Sequence, residues 1–236
     1  MKNIYRILFL LMVVGLFGFS TPFSWLFTSH TNSESFGTNS WLERQMTILK
    51  AQAHNIDTKV LRLSLLAYTK AKQKGLLNQK SLLTVIDYSK PSYENRLWVF
   101  DVKRGRALFN TLVSHGKNSG GANATSFSNN PGSLKSSIGV FLTRESYFGK
   151  NGYSLRLRGL ESGINDNAYR RSVVVHGAWY VNTDTIRRYG QVGRSWGCPA
   201  VSDDLAESLI NTIKGNTLIV AYYPDRNWLS NSQFLT

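Results

Sequence analysis

The chain of 236 residues holds one cysteine, Cys198, and only four histidines. No disulfide can form within it, and the paired short Cys/His spacings of a zinc site are missing. Acids are scarce too: 14 Asp and Glu stand against 28 Lys and Arg, a net charge of +14. Glycoside hydrolysis needs two carboxyl groups flanking the cleaved bond, and mid-chain Glu145, Glu161, Asp166 and Asp184 form no telling arrangement. Five prolines with no glycine period exclude a collagen-like chain. Long apolar runs are confined to the start, which excludes a multi-span membrane protein. Aromatic residues, by contrast, are plentiful. Six Trp, 11 Tyr and 12 Phe within 42% hydrophobic residues exclude disorder throughout and allow one buried core of ordinary size.

Lys2 and Arg6 precede an uncharged apolar run of 13 residues, Ile7 to Phe19, and Gly18-Phe19-Ser20 is a small-x-small site. This layout predicts a secretory signal peptide over residues 1–20. Joined by Thr21 to Phe27 across Pro22, the run reaches the ~20 residues of a spanning helix, and the segment would stay as an uncleaved anchor. The expectation is export to a periplasm or cell wall, with the inner membrane touched only through this segment. The positive charge points to an anionic partner. Export sets nucleic acid aside and favours an anionic cell-envelope polymer. A lone cysteine in an exported chain is a reactive thiol, an intermolecular bridge or a small buried hydrophobe.

Residues 21–40 are polar after the first few and read as a flexible leader. A helical segment follows over 41–81. Leu42, Met46, Leu49 and Ala53 recur at spacings of three and four. A second helix is expected from Thr58 to Lys74, burying Val60, Leu63, Leu66 and Ala67, with Gly75 as its stop. From Leu82 the period changes to that of strands, and a mainly β domain is expected over 82–225. Its strands include Leu97 to Asp101, buried on both faces, then Ile138–Thr143, Ser154–Leu160, Ser172–Tyr180 and Thr217–Tyr223. The Gly/Ser/Asn-rich stretch 116–137 reads as a long surface loop, and Asp203 to Lys214 as a helix. Residues 226–236 read as a tail.

Two segments carry chemistry. One is a strand ending in His176-Gly177; the other is Gly193-Arg194-Ser195-Trp196-Gly197-Cys198-Pro199. A thiol attacks carbonyls as its thiolate and needs a nearby base, which a histidine at a strand end can supply. Oxyanion stabilisation would come from the backbone N–H groups of Cys198 and the residues before it. Gly193 to Gly197 also matches the G-x-S-x-G elbow of serine hydrolases, but that fold needs a histidine after the serine. His30, His54, His115 and His176 all precede Ser195. Arg194 is a candidate carboxylate clamp, Ser195 a substrate donor or turn holder, and His115 a cleft residue or a structural hydrogen-bonder. His30 and His54 read as solvated.

His176-Gly177 followed by Ser195-Trp196-Gly197-Cys198 resembles the signature of the L,D-transpeptidase catalytic domain (YkuD-like) family. The Gly-Arg-Ser-x-Gly-Cys-Pro-Ala run, Arg-Leu-Trp-Val-Phe-Asp at 96–101 and Ser-His-Gly-Lys at 114–117 are similar to one branch of it. The resemblance covers roughly residues 82–224. Trp196 departs from the usual second histidine, and an indole neither accepts nor relays a proton. The resemblance implies a β-sandwich-like domain and action on peptidoglycan stem peptides. Cys198 would be the nucleophile and His176 the base, oriented by the Gly177 carbonyl. Arg194, Ser195, Trp196, Gly197 and His115 would bind substrate or oxyanion. No cofactor is implied. With water as acceptor the same chemistry would be that of an L,D-carboxypeptidase. A non-catalytic, cationic wall-binding protein is the alternative from a different class.

Overall fold

Apolar periodicity and side-chain caps set the first two helices. The computed structural model describes residues 35–235, so the expected signal peptide, most of the leader and His30 lie outside the described residues. Helix α1 spans Asn39–Gln52, and the Thr38 hydroxyl accepts from the Trp41 amide at 3.3 Å. It buries Leu42, Met46 and Leu49, as its spacing predicts. Helix α2, Thr58–Gln73, is capped by Asp57, whose carboxylate accepts from the Val60 amide at 3.0 Å. Its buried face holds Val60, Leu61, Leu65, Ala67 and Tyr68, while Leu63 and Leu66 are half-buried at its flanks. The helix packs against both α1 and the sheet, so its apolar stripe is wider than one partner would require.

Eight strands make one mixed sheet. They are β1 (Leu82–Asp87), β2 (Leu97–Asp101), β3 (Arg106–Thr111), β4 (Gly139–Gly149), β5 (Gly152–Gly159), β6 (Val174–Gly177), β7 (Ala200–Val201) and β8 (Leu218–Tyr222). Their order is β3-β2-β1-β8-β4-β5-β6-β7, with β1/β8 and β6/β7 parallel and the other pairs antiparallel. Strands β1, β2 and β8 are buried at every position, which matches the expectation for Leu97 to Asp101. The chain leaving β3 then meets the opposite edge of the sheet. Ser114 N–H donates to Ala200 O at 2.8 Å, and Ser195 N–H to His115 O at 3.0 Å. Both edges are thereby partnered near the cysteine. The domain is mainly β, as expected, with the helices added around it.

Three segments depart from the sequence reading. The expected strand Ser172–Tyr180 pairs only over β6, and a short helix α3, Thr183–Tyr189, follows it, capped by Asn182. The stretch 116–137 is only partly a surface loop. Gly116, Ser119, Ala124 and Ser136 are buried, because this segment packs behind the cysteine loop. Residues 226–236 are more than a tail. Helix α5, Arg226–Asn231, delivers Trp228 into the core, and Phe234 is buried after it. The Trp228 indole N–H donates to Glu161 at 2.9 Å, the Val140 amide donates to the same oxygen at 2.7 Å, and the Ser232 hydroxyl donates to the other. Burial raises the Glu161 carboxyl above the usual range, and these donors pull it back. Helix α4, Asp203–Ile213, lies against β6 where Gly177 lacks a side chain. A Cβ there would come within 2.6 Å of Asp203 Oδ1.

Candidate active site

The parallel pairing of β6 and β7 brings the two chemical segments together. His176 stands opposite Ala200, two residues after Cys198. His176 is only 5% exposed, and its Nδ1 lies 2.6 Å from Gly177 O. A carbonyl only accepts, so Nδ1 carries the proton and Nε2 is left as an acceptor. Burial lowers the imidazole's pKa, while the Gly177 carbonyl and Asp203 oppose the shift. The ring is therefore neutral at neutral pH, which is the form a general base requires.

The Cys198 thiol is fixed by backbone. Its Sγ accepts from Val174 N–H at 3.5 Å and donates to Ser172 O at 3.7 Å. Ser172 has φ +54, a left-handed conformation rare for a residue with a side chain. Burial pushes the thiol up, against the pull of the Val174 N–H and the Arg171 charge. At rest it is a thiol, and a base must take its proton. Arg171 itself is tied to the 128–137 segment, donating to Ser128 O at 2.6 Å, Lys135 O at 2.7 Å and the hydroxyls of Ser133 and Ser137.

The loop before the thiol is closed from inside. Ser195 Oγ donates to Cys198 O at 2.6 Å and accepts from Gly197 N–H at 3.1 Å. Ser195 is 4% exposed, and its hydroxyl holds the turn from within the cleft lining. The same bonds remove it as a serine-hydrolase nucleophile. Gly197 has φ +122, and a Cβ there would sit 2.7 Å from Lys135 O, so only glycine fits. Its amide is spent on Ser195, which corrects its assignment as an oxyanion donor. The Cys198 amide has no partner among the described residues. Ser136 Oγ supports the loop from behind, donating to Gly197 O at 3.1 Å and accepting from Gly116 N–H at 3.0 Å.

His115 is a second correction. It is fully buried and takes no part in the cleft, because Nη2 of the equally buried Arg96 lies 2.8 Å from its Nδ1. Burial and the Arg96 charge press its pKa down to about 4. Arg96 also donates to Val113 O at 2.9 Å and to Lys90 O at 2.8 Å, so the pair braces the chain leaving β3. His54 is exposed, as expected.

Cys198 and His176 open to a cleft of about 300 Å³ together with Tyr180, Arg194, Ser195, Trp196 and the β4–β5 turn residues Lys150 and Asn151. Arg194 is exposed, with Nη1 donating to Gly120 O at 3.0 Å. Trp196 is also exposed. Tyr180 escaped the sequence reading. It follows His176 by four residues, but no short-range pattern marks a tyrosine as cleft-lining. Burial and the nearby Cys198 push its phenol up to about 12, so it remains a proton donor. Ser172, Val174 and Arg171 were missed as well, since the bonds of the first two to Sγ and the charge of the third near it exist only in the folded arrangement. Among the described residues no group of His, Cys, Asp and Glu is placed to hold a metal ion, and no helix is long and apolar enough to cross a membrane.

The family model of the L,D-transpeptidase catalytic domain matches residues 52–222, a stretch that takes in α2. No curated protein matches the chain. An L,D-transpeptidase from Mycobacterium smegmatis is similar in structure, at 16% identity over 61% of this chain and 59% of its own, with a TM-score of 0.38. L,D-transpeptidase 3 from Mycobacterium tuberculosis aligns at 13% identity over 61% of each chain, with a TM-score of 0.39. The L,D-transpeptidase from Stackebrandtia nassauensis aligns at 11% identity over 77% of each, with a TM-score of 0.37. The chain thus spans about 60% of the length of the first of these. Structural likeness at this level carries no argument of its own, whereas the family match extends over most of the described residues. On that match, the chain belongs to the L,D-transpeptidase catalytic domain family.

Proposed function

We propose that the chain is an exported peptidoglycan L,D-transpeptidase working through a thioester on Cys198. One observation carries the reading: a histidine whose Nδ1 proton is committed to Gly177 O opens to the same cleft as the only thiol. His176 Nε2 takes the thiol proton as sulfur attacks the carbonyl at the L-centre of the stem's diamino acid. Because burial keeps the resting thiol protonated, proton transfer accompanies attack rather than preceding it. The oxyanion is met by the unpartnered Cys198 N–H. The imidazolium then protonates the departing amine of D-Ala, leaving the thioester. An amine of a neighbouring stem attacks the thioester, gives its proton to His176 and forms the crosslink, restoring the thiol. Tyr180 and Arg194 shape the walls within which the stem is held.

Export is supported by Lys2, Arg6 and the apolar run that follows them. The net charge of +14 supports an anionic cell-envelope polymer as partner. The test is intact mass of protein lacking residues 1–20 after incubation with a tetrapeptide-stem muropeptide, with Cys198→Ser beside it. A thioester-sized adduct with D-Ala released, absent from the variant, is the expected result. Hydrolysed stem as sole product in the presence of acceptor would make the protein an L,D-carboxypeptidase. Folded protein giving neither adduct nor D-Ala would sink the catalytic reading in favour of wall binding.

A further inference from the structure

Trp196 has no part in the acyl transfer above, yet it is 69% exposed on the loop that carries the nucleophile. Two ammonium groups reach its ring from separate parts of the fold. Lys117 Nζ, from the segment after β3, lies 5.9 Å from the ring centroid, and Lys150 Nζ, from the β4–β5 turn, lies 5.6 Å from it. Both fall within the range in which an indole face attracts a cation. Arg194 lines the same cleft, and its Nη1 is anchored on the carbonyls of Lys117 and Gly120. Among the described residues none of these three cations has a carboxylate partner. No acidic residue lines the cleft. Unneutralised like charges gathered at a cleft mouth repel one another in the free protein and raise the local concentration of anions.

We infer that Lys117, Lys150 and Arg194, gathered around the Trp196 ring, form a carboxylate-binding subsite at the mouth of the Cys198 cleft that selects free-acid stem peptides over amidated ones. The identity of the ligand rests on the transpeptidase reading. The ring holds each lysine on one side and leaves its ammonium donors open to solvent. The Arg194 guanidinium keeps donors beyond those held by the two carbonyls. An amide has nearly the shape of a carboxylate but no charge, so the discrimination is electrostatic and weakens with salt. This gives Trp196 a role that a proton-relaying side chain in its place would not fill: it gathers cations.

The test uses the full chain carrying Cys198→Ala, which binds without turnover. Equilibrium dialysis compares a labelled tetrapeptide stem with its fully amidated form. The free acid is expected to bind about tenfold more tightly at low ionic strength, as a few exposed charge contacts supply. The preference shrinks at high salt. Lys117→Ala with Lys150→Ala removes most of it, leaving the share that Arg194 supplies, with the affinity for the amidated peptide unchanged. Trp196→Ala, which releases both lysines, removes most of it. Equal binding of the two peptides, including no binding of either, overturns the subsite, as does a preference undiminished in the double lysine variant. Release of D-Ala by wild-type protein is scored separately. Release without a binding preference sinks the subsite alone, and a preference without release sinks the transpeptidase reading alone.

Discussion

Replacing Ser195 by alanine removes one hydroxyl and two hydrogen bonds, those to Cys198 O at 2.6 Å and from Gly197 N–H at 3.1 Å. Net, each such bond is worth about 1 kcal/mol, and a buried partner left unsatisfied costs about 1–3 kcal/mol. Ser195 is 4% exposed, so water does not easily replace the lost hydroxyl. The sum is on the order of 2–4 kcal/mol, against a typical domain stability of about 5–15 kcal/mol. The variant therefore stays folded, with its melting temperature lowered by roughly 10 °C. The loss is local to the turn that places Cys198, where misplacement of about 1 Å costs on the order of a hundredfold in rate. Ser195→Ala is expected to lower kcat by about ten- to a hundredfold with little change in KM. Ser195→Thr keeps the hydroxyl and should recover most of it. The assay is D-Ala release from a tetrapeptide stem, with thermal melting of all three proteins. Wild-type turnover in Ser195→Ala, or a Thr variant as slow as the Ala variant, would refute the turn-holding role.

Three further outcomes follow from the same structure. Arg171→Met removes the cation that draws the Cys198 thiol down, so the midpoint of iodoacetamide alkylation against pH should move upward, with Arg171→Lys intermediate; an unmoved midpoint refutes the charge effect. His115 titrates at about 4 in the folded chain against 6.5 unfolded, so the unfolded state binds more protons between those values. Its contribution is fully present above pH 6.5 and is lost as pH falls towards about 4, on the order of 3 kcal/mol in all; urea unfolding from neutral pH to about 4.5 should show a shallower loss for His115→Gln. Trp228→Ala empties a core site and takes one donor from buried Glu161. A fall of about 3–5 kcal/mol in unfolding free energy is expected, and one under about 1 kcal/mol would return 226–236 to the status of a tail.

Local chemistry wrote much of this protein into its sequence. The apolar spacing of Leu42, Met46 and Leu49 and the uninterrupted apolar run at 97–100 each act within a few residues. The elements they predict therefore stand where expected. The lone cysteine and His176-Gly177 were legible because thiols and imidazoles are rare in this chain, at one and four copies. What tertiary structure alone decided depends on partners far apart in sequence. Ser195 read as a substrate donor or a turn holder and Gly197 as a substrate contact, and the Cys198 carbonyl and Lys135 O make one a brace and the other a steric necessity. His115 sits in a motif beside a Gly-rich loop, yet Arg96, 19 residues earlier, claims its nitrogen and buries it. Trp228 looks like a terminal aromatic until Glu161, 67 residues away, accepts its N–H. Hydrophobic period and capping are properties of neighbours along the chain. Whether a polar side chain faces substrate, water or a buried partner is settled only when the sheet has folded around it.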